Sequence, residues 1–126
     1  MLGGMRWAIL ALAFTLLGSA SLAGPSCEAL ARAAARAHGL PENLLIAIAH
    51  TESGRASKSK GIHAWPWTAN VAGEGRYYRS RAEALRHLEQ VRGQGITSFD
   101  VGCMQLNYRR HGKEIERLDA MIDPAR

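Results

Sequence analysis

The sequence predicts a mainly helical α+β domain with one small β-hairpin. Three segments carry apolar residues together with residues that begin or end helices, such as Ser26 before the first and Gly54 after the second. Between the second and third helical segments, two short runs of aromatic and β-branched residues flank a glycine-containing turn, which is typical of a hairpin. The length suits one domain with one modest core.

The chain starts with a segment typical of a secretory signal. Arg6 supplies a positive charge, Trp7 to Leu17 form an apolar run, and small residues permit cleavage after Ala23. The run is too short to span a membrane. We therefore expect residues 1–23 to be removed and residues 24–126 to form one periplasmic or secreted domain without stable membrane insertion.

Two helices are predicted next. The first runs from about 27 to 38, because Ser26 can cap its start and Gly39 can end it. The central helix runs from about 42 to 53 and follows Pro41, a residue favoured at helix starts.

The middle of the chain is predicted to contain a loop and the hairpin. Residues 54–64 have the composition of a loop. The hairpin is predicted from the runs 65–71 and 76–78. Ser80 and Glu83 then form a capping box that opens a third helix.

The third helix is predicted to bury Leu85, Leu88 and Val91. Residues 96–107 are predicted to be irregular or a short helix, and a last helix is predicted from about 113 to 121. The apolar side of this last helix consists of Leu118, Met121 and Ile122.

Charge and histidine placement argue against two kinds of site. The net charge of +5 is spread along the chain rather than clustered, which disfavours a nucleic-acid partner and suits an anionic polymer such as cell wall. The five histidines lack the spacing of metal ligands, so we expect no metal site and no cofactor.

The two cysteines, Cys27 and Cys103, favour a disulfide because the protein is expected to be exported. The alternative is that Cys103 is a nucleophile with His50 or His111 as its base. An oxidising compartment that holds a partner thiol favours the disulfide.

The stretch 44–54 combines six apolar residues with one carboxylate, Glu52. Leu45, Ile48, Ala49 and Glu52 fall at spacings of three and four, so Glu52 is predicted to continue the apolar stripe of the central helix. Desolvation there would raise the pKa of Glu52, which suits a proton donor. The alternative is that Glu52 lies in solvent past the last turn or pairs with an arginine.

Two further groups of residues are candidates for ligand binding. Trp65, Trp67, Tyr77 and Tyr78 lie close in sequence, and aromatic faces suit sugar rings, although a small core needs aromatics as well. The segment 98–107 places neutral amides beside a glycine, where they can bind a polar ligand or simply form turns.

Three motifs in this order resemble the soluble lytic transglycosylases, the goose-type-lysozyme-like family. They are Glu-Ser-Gly at 52–54, Trp-Pro-Trp-Thr-Ala-Asn at 65–70 and Asp-Val-Gly-Cys-Met-Gln-Leu-Asn at 100–107. The family pattern has leucine where this chain has Cys103, and the cysteine matches a branch that also carries Pro-Trp-Thr-x-Asn.

The resemblance implies a lysozyme-like domain that cleaves the β-1,4 bond between N-acetylmuramic acid and N-acetylglucosamine in peptidoglycan. One glutamate protonates the leaving oxygen, the acetamido group of the substrate stabilises C1, and the glutamate then deprotonates the muramoyl 6-hydroxyl. The product is a 1,6-anhydro sugar, formed without water.

Residue by residue, the resemblance assigns the acid/base role to Glu52 and its orientation to Ser53. The residues that it assigns to substrate binding are Ser53, Trp67, Asn70, Met104, Gln105 and Asn107.

The family pattern continues into further helices beyond the point where this chain ends, with an Ala-Tyr-Asn-like segment whose tyrosine approaches the catalytic glutamate. We therefore expect a domain that is truncated at its C-terminus. Without those helices, some of the side chains of Leu44, Leu45, Ile46 and Ile48 are expected to face water.

Two other functions compete with the transglycosylase. One is a hydrolysing lysozyme in which Asp100 supplies a second carboxylate that positions water. The other is a non-catalytic remnant that binds peptidoglycan. For the transglycosylase, a secretion or conjugation machine is a candidate partner.

Overall fold

The computed structural model describes residues 24–115 and 117–125, so the expected signal segment 1–23 lies outside the described residues. Helices account for 48% and strands for 21% of the structure, and the strands form two antiparallel sheets. The domain is therefore a mixed α+β domain, and the prediction of a mainly helical domain with one small hairpin is wrong.

The first three predicted helices are present. In place of the single last helix that is predicted, the structure has two shorter helices. The helices are α1 (Cys27–Ala37), α2 (Glu42–Ser53), α3 (Arg81–Gly93), α4 (Tyr108–Ile115) and α5 (Leu118–Met121). Ser26 and Ser80 cap α1 and α3 as predicted, since their hydroxyls accept from the amides of Ala29 and Glu83, each at 3.2 Å. None of the helices described is long and apolar enough to span a bilayer.

The strands are β1 (Gly54–Ser57), β2 (Gly61–Ala64), β3 (Thr68–Val71), β4 (Glu74–Tyr77), β5 (Phe99–Val101) and β6 (Leu106–Asn107). β1 and β2 form a separate hairpin, and the other four form an antiparallel sheet in the order β4-β3-β5-β6. The predicted hairpin is confirmed as β3–β4. Its turn residues Ala72 and Gly73 both have positive φ, at 53° and 86°, as expected for a tight two-residue turn.

Two predictions of irregular structure are wrong. Residues 54–64 contain β1 and β2, and residues 96–107 contain β5 and β6. These strands have two to four residues, and β1 is built from Gly-Arg-Ala-Ser, so they show no alternation from which a strand could be predicted. Backbone pairing with a neighbouring strand, rather than local preference, gives them their conformation.

The larger core lies between the four-stranded sheet and the helices α3 and α5. Phe99 is buried at its centre and stacks on the ring of Tyr108 with the ring centroids 4.9 Å apart. Leu88 and Val91 are buried as predicted, whereas Leu85 is half-buried. The apolar side predicted for the last helix is confirmed, because three of its residues are buried in this region, Leu118, Met121 and Ile122.

A second, much smaller core joins α1, α2 and β2. Its buried members are Cys27, Ala49 and Ala64, with Cys103 and Met104 packed against them. The predicted disulfide between Cys27 and Cys103 is present, with the two Cα atoms 5.8 Å apart. Because alanine buries little apolar surface, the disulfide is the main link between α1 and the segment after β5.

The Glu28 carboxylate connects three elements beside this small core. One of its oxygens accepts from the Ala64 amide of β2 at 2.7 Å and from Nε2 of His50 on α2 at 3.0 Å. Burial would raise the pKa of Glu28, but hydrogen bonds from Ala64, from its own amide and from His50 outweigh it, so the pKa lies below the usual value of 4.5.

The outward side of α2 carries apolar residues. Leu44 is 45% exposed and Ile48 is 40% exposed, while Leu45 and Ile46 are half-buried. The expectation that some of these four side chains face water is confirmed for Leu44 and Ile48.

We predict that the disulfide is essential for stability. It closes a span of 76 residues, which corresponds to about 4 kcal/mol in the chain-entropy description. The double variant Cys27→Ala, Cys103→Ala should therefore melt more than about 10 °C below the parent under non-reducing conditions. Reductant should lower the Tm of the parent and leave that of the double variant unchanged. Equal Tm values for the two proteins would contradict the prediction.

We also predict that Glu28 contributes acid-sensitive stability. Its pKa is lower in the folded state, so ionised Glu28 stabilises the fold above the ordinary value of 4.5, and this contribution is lost as the pH falls through the folded pKa. Urea unfolding of Glu28→Gln should therefore show lower stability than the parent at neutral pH and a smaller difference at about pH 3. Glu74→Gln, at an exposed carboxylate on β4, is the control and should leave the difference near zero at both pH values.

Candidate functional site

Hydrogen bonds to backbone carbonyls bring the three motifs together at the C-terminal end of α2. The Trp65 amide donates to the Ser53 carbonyl at 2.9 Å, which joins the first motif to the second. The Ser53 hydroxyl donates to the Cys103 carbonyl at 2.8 Å, which joins the first to the third. The Gly102 amide donates to the Thr68 carbonyl at 3.0 Å, which joins the third to the second.

Glu52 lies at the exposed end of this junction. Its side chain faces solvent, and no side chain among the residues described forms an ion pair or hydrogen bond with its carboxylate. The prediction that Glu52 continues a buried stripe is therefore wrong. The line of α2 that is buried contains Ala49 and Ser53, because these small side chains let α2 pack closely against its neighbours.

Ser53 bonds to main-chain carbonyls and is not placed to contact a ligand. It is 1% exposed, so it presents no surface to a sugar. Its hydroxyl lies 3.0 Å from the Ala49 carbonyl and 2.8 Å from that of Cys103, and hence its one proton is directed at main-chain oxygens. Ser53 therefore fixes the end of α2, and with it the backbone of Glu52, to the turn after β5.

Gln105 closes that turn in an unusual conformation. Its φ of 49° lies in the left-handed region, where residues other than glycine are uncommon and often mark functional positions. Its side-chain amide donates to the Gly102 carbonyl at 3.0 Å and approaches that of Thr68 at 3.5 Å. Met104, beside it, packs on the disulfide and lines a cavity of about 180 Å³ between α1 and the C-terminal segment.

Three polar side chains form a row across the four-stranded sheet, here called the polar row: Asn70, Asp100 and Asn107. Asn70 pairs with Asp100 in register, and Asp100 pairs with Asn107, so the three share one face of β3, β5 and β6. Asn107 donates to Asp100 at 2.9 Å and accepts from the Arg110 amide at 3.3 Å, which caps α4. All three are half-buried, so each keeps an accessible part for a polar ligand.

The four clustered aromatics divide between core and surface. Tyr78 is buried, with its hydroxyl 2.6 Å from Nδ1 of His87, and Trp67 packs against the larger core. Trp65 is half-buried and donates from Nε1 to the Tyr78 carbonyl at 2.7 Å. Tyr77 is 48% exposed, and its hydroxyl donates to the Gly54 carbonyl at 2.5 Å. The surface aromatics are therefore Trp65 and Tyr77.

One charged residue of the site, Arg55, is not among the candidates predicted from the sequence. Arg55 lies on β1, three residues after Glu52, and its guanidinium carbon lies 5.0 Å from the Trp65 ring centroid and 5.7 Å from that of Tyr77. The composition of this segment predicts a loop, and a loop does not place Arg55 opposite His63 and next to the aromatics. The feature of the sequence that points to Arg55 is its position directly after the Glu-Ser-Gly motif.

Comparison of the chain with protein-family models, with curated proteins and with solved structures finds no match. Among residues 24–115 and 117–125, the structure has no cluster of three or more histidine, cysteine, aspartate or glutamate side chains that could hold a metal ion.

We predict that Ser53 is required to hold the end of α2. Ser53→Ala leaves the Cys103 carbonyl without this donor and should cost about 1–2 kcal/mol, a Tm decrease of roughly 5–10 °C. Thr51→Ala is the matched control, because the Thr51 hydroxyl donates to the Ala47 carbonyl of its own helix on the exposed side. It should change stability by less than about 0.5 kcal/mol. If both variants melt alike, Ser53 does not have this role.

Proposed function

We propose that the protein is an exported lytic transglycosylase that cleaves peptidoglycan glycan strands, with Glu52 as the single acid/base. The proposal rests on the motif resemblance and on one structural observation. Segments separated by up to about fifty residues, each carrying one of the three motifs, meet through hydrogen bonds around Ser53. A chance likeness of short motifs gives no reason for them to meet in space.

The geometry supports a division of roles among these residues. Glu52 presents a carboxyl group to solvent, where it can reach a glycosidic oxygen. Gln105 and the polar row offer amide and carboxylate groups that can hydrogen-bond sugar hydroxyls and acetamido groups. Ser53 holds the backbone of Glu52 relative to both. Of the residues assigned to the substrate by resemblance, Asn70, Gln105 and Asn107 fit direct contact best.

Because Glu52 is exposed, the substrate has to supply part of the environment that an acid/base needs. In this mechanism a glycan strand lying over the end of α2 excludes water from the Glu52 carboxyl group. The protonated group donates to the leaving oxygen, and the substrate acetamido group stabilises C1. The resulting carboxylate then accepts the proton of the muramoyl 6-hydroxyl, which closes the anhydro ring.

A hydrolysing lysozyme is the second candidate, and one observation favours it. The Asp100 carboxylate is oriented by Asn107 within the polar row, as a group that positions a water molecule would be. The products separate the two reactions, because hydrolysis yields a reducing end and the lyase reaction yields a 1,6-anhydro end.

We predict that Glu52→Gln reduces release of anhydro-muropeptides from sacculi by at least about 10²-fold, because the only acid/base is lost. Release is measured by chromatography with mass spectrometry. Sacculus binding and Tm should be unchanged, since Glu52 is exposed.

Glu74→Gln, at an exposed carboxylate of β4, is the control and should retain full activity. Products with reducing ends that disappear in Asp100→Asn would favour the lysozyme. Sacculus binding without any released fragment would indicate the non-catalytic remnant.

A further inference from the structure

We propose that Arg55, held between Trp65 and Tyr77, binds a carboxylate of the muramoyl residue on which Glu52 acts. These three residues are called the Arg55 site. The inference rests on the proposed function, because it names the group of the glycan strand that this site recognises. A muramoyl residue carries its carboxylates on the peptide stem or, where the stem has been removed, on the lactyl group.

The guanidinium group of Arg55 lies near two aromatic rings. Its central carbon is 5.0 Å from the Trp65 centroid and 5.7 Å from the Tyr77 centroid, both within the range of cation–π attraction. The two rings are themselves fixed, since Trp65 donates to the Tyr78 carbonyl and Tyr77 donates to the Gly54 carbonyl. These contacts favour a position of the Arg55 side chain beside both rings.

The same guanidinium group has no acidic partner within the described part of the chain. Eight ion pairs occur there, and none includes Arg55. Other arginines, such as Arg36 and Arg117, instead bind carboxylates through two nitrogens. Aromatic faces hold the Arg55 cation without using its N–H donors, so these donors stay available to an anion.

The position of the Arg55 site relates it to Glu52. Three peptide units separate the two residues, so their Cα atoms lie at most about 11 Å apart. The Tyr77 hydroxyl bonds to the carbonyl of Gly54, between them in sequence. A muramoyl residue with C1 at Glu52 carries its lactyl group and stem only a few bonds away, within reach of an arginine side chain.

Carboxylate is the chemistry that this arrangement fits. A planar guanidinium group offers two parallel N–H donors that match the two oxygens of a carboxylate. N-acetylglucosamine has no charged group, so the Arg55 site would distinguish muramoyl-containing strands from chitin-like strands of the same length.

The test measures binding to the Glu52→Gln protein, which should not cleave its ligands. Three tetrasaccharides are compared by calorimetry: one with muramoyl tripeptide stems, one with free lactyl carboxylates, and chitotetraose. Adding Arg55→Gln should weaken binding of the stem-bearing tetrasaccharide, the lactyl one or both by about tenfold or more. Binding of chitotetraose should not change. The tetrasaccharide that loses affinity identifies which carboxylate is bound.

Arg86→Gln is the matched control, because it removes the same charge from an exposed arginine of α3 that, within the described part of the chain, lies over no aromatic ring. It should leave all three affinities unchanged. The inference is overturned if Arg55→Gln and Arg86→Gln behave alike, if chitotetraose loses affinity equally, or if neither carboxylate-bearing ligand binds at all.

The outcome is separable from that of the proposed function. Anhydro products from the parent together with Arg55-independent binding would reject the Arg55 site alone. Arg55-dependent binding without anhydro products would reject the reaction and leave the Arg55 site in place.

Discussion

The Cys27–Cys103 disulfide is the constraint on which the arrangement of this domain depends. It ties α1 to the turn after β5, and the core around it contains little more than alanine. The Ser53 hydroxyl bonds to the carbonyl of the same Cys103. A covalent link and a hydrogen bond thus meet at one residue, and together they hold α1 and the end of α2 to the turn after β5.

The small side chains of this second core allow close packing where the three motifs meet. Small residues on the buried line of α2, Ala49 and Ser53, allow the helix to approach the Cys103 turn closely. Larger side chains there would push the end of α2, and Glu52 with it, away from the Cys103 turn. Small side chains bury little apolar area and therefore contribute little stability. The disulfide compensates for this because it restricts the unfolded chain.

The candidate site is open rather than enclosed. Glu52, Arg55 and Tyr77 are all exposed, and Leu44 and Ile48 leave apolar surface on the outward side of α2. An open surface suits a long polymer, which can approach from the side and bring its own bulk to exclude water. In the function proposed above, specificity would come from fixed groups on the surface, such as the stacked guanidinium group and the polar row, rather than from the shape of a deep pocket.

The sequence by itself determined the helices α1 to α3, the serine caps of α1 and α3, the β3–β4 hairpin and the cysteine pair, because capping and turn residues act locally and the chain has only two cysteines to pair. It also singled out the three motifs. Only the tertiary structure decided that residues 54–57 and 99–101 are strands, that Glu52 is exposed and that Arg55 lies on Trp65. Each of these depends on partners distant in the chain: short strands form by pairing, and a helix buries the side that its neighbours can approach, not always its most apolar one.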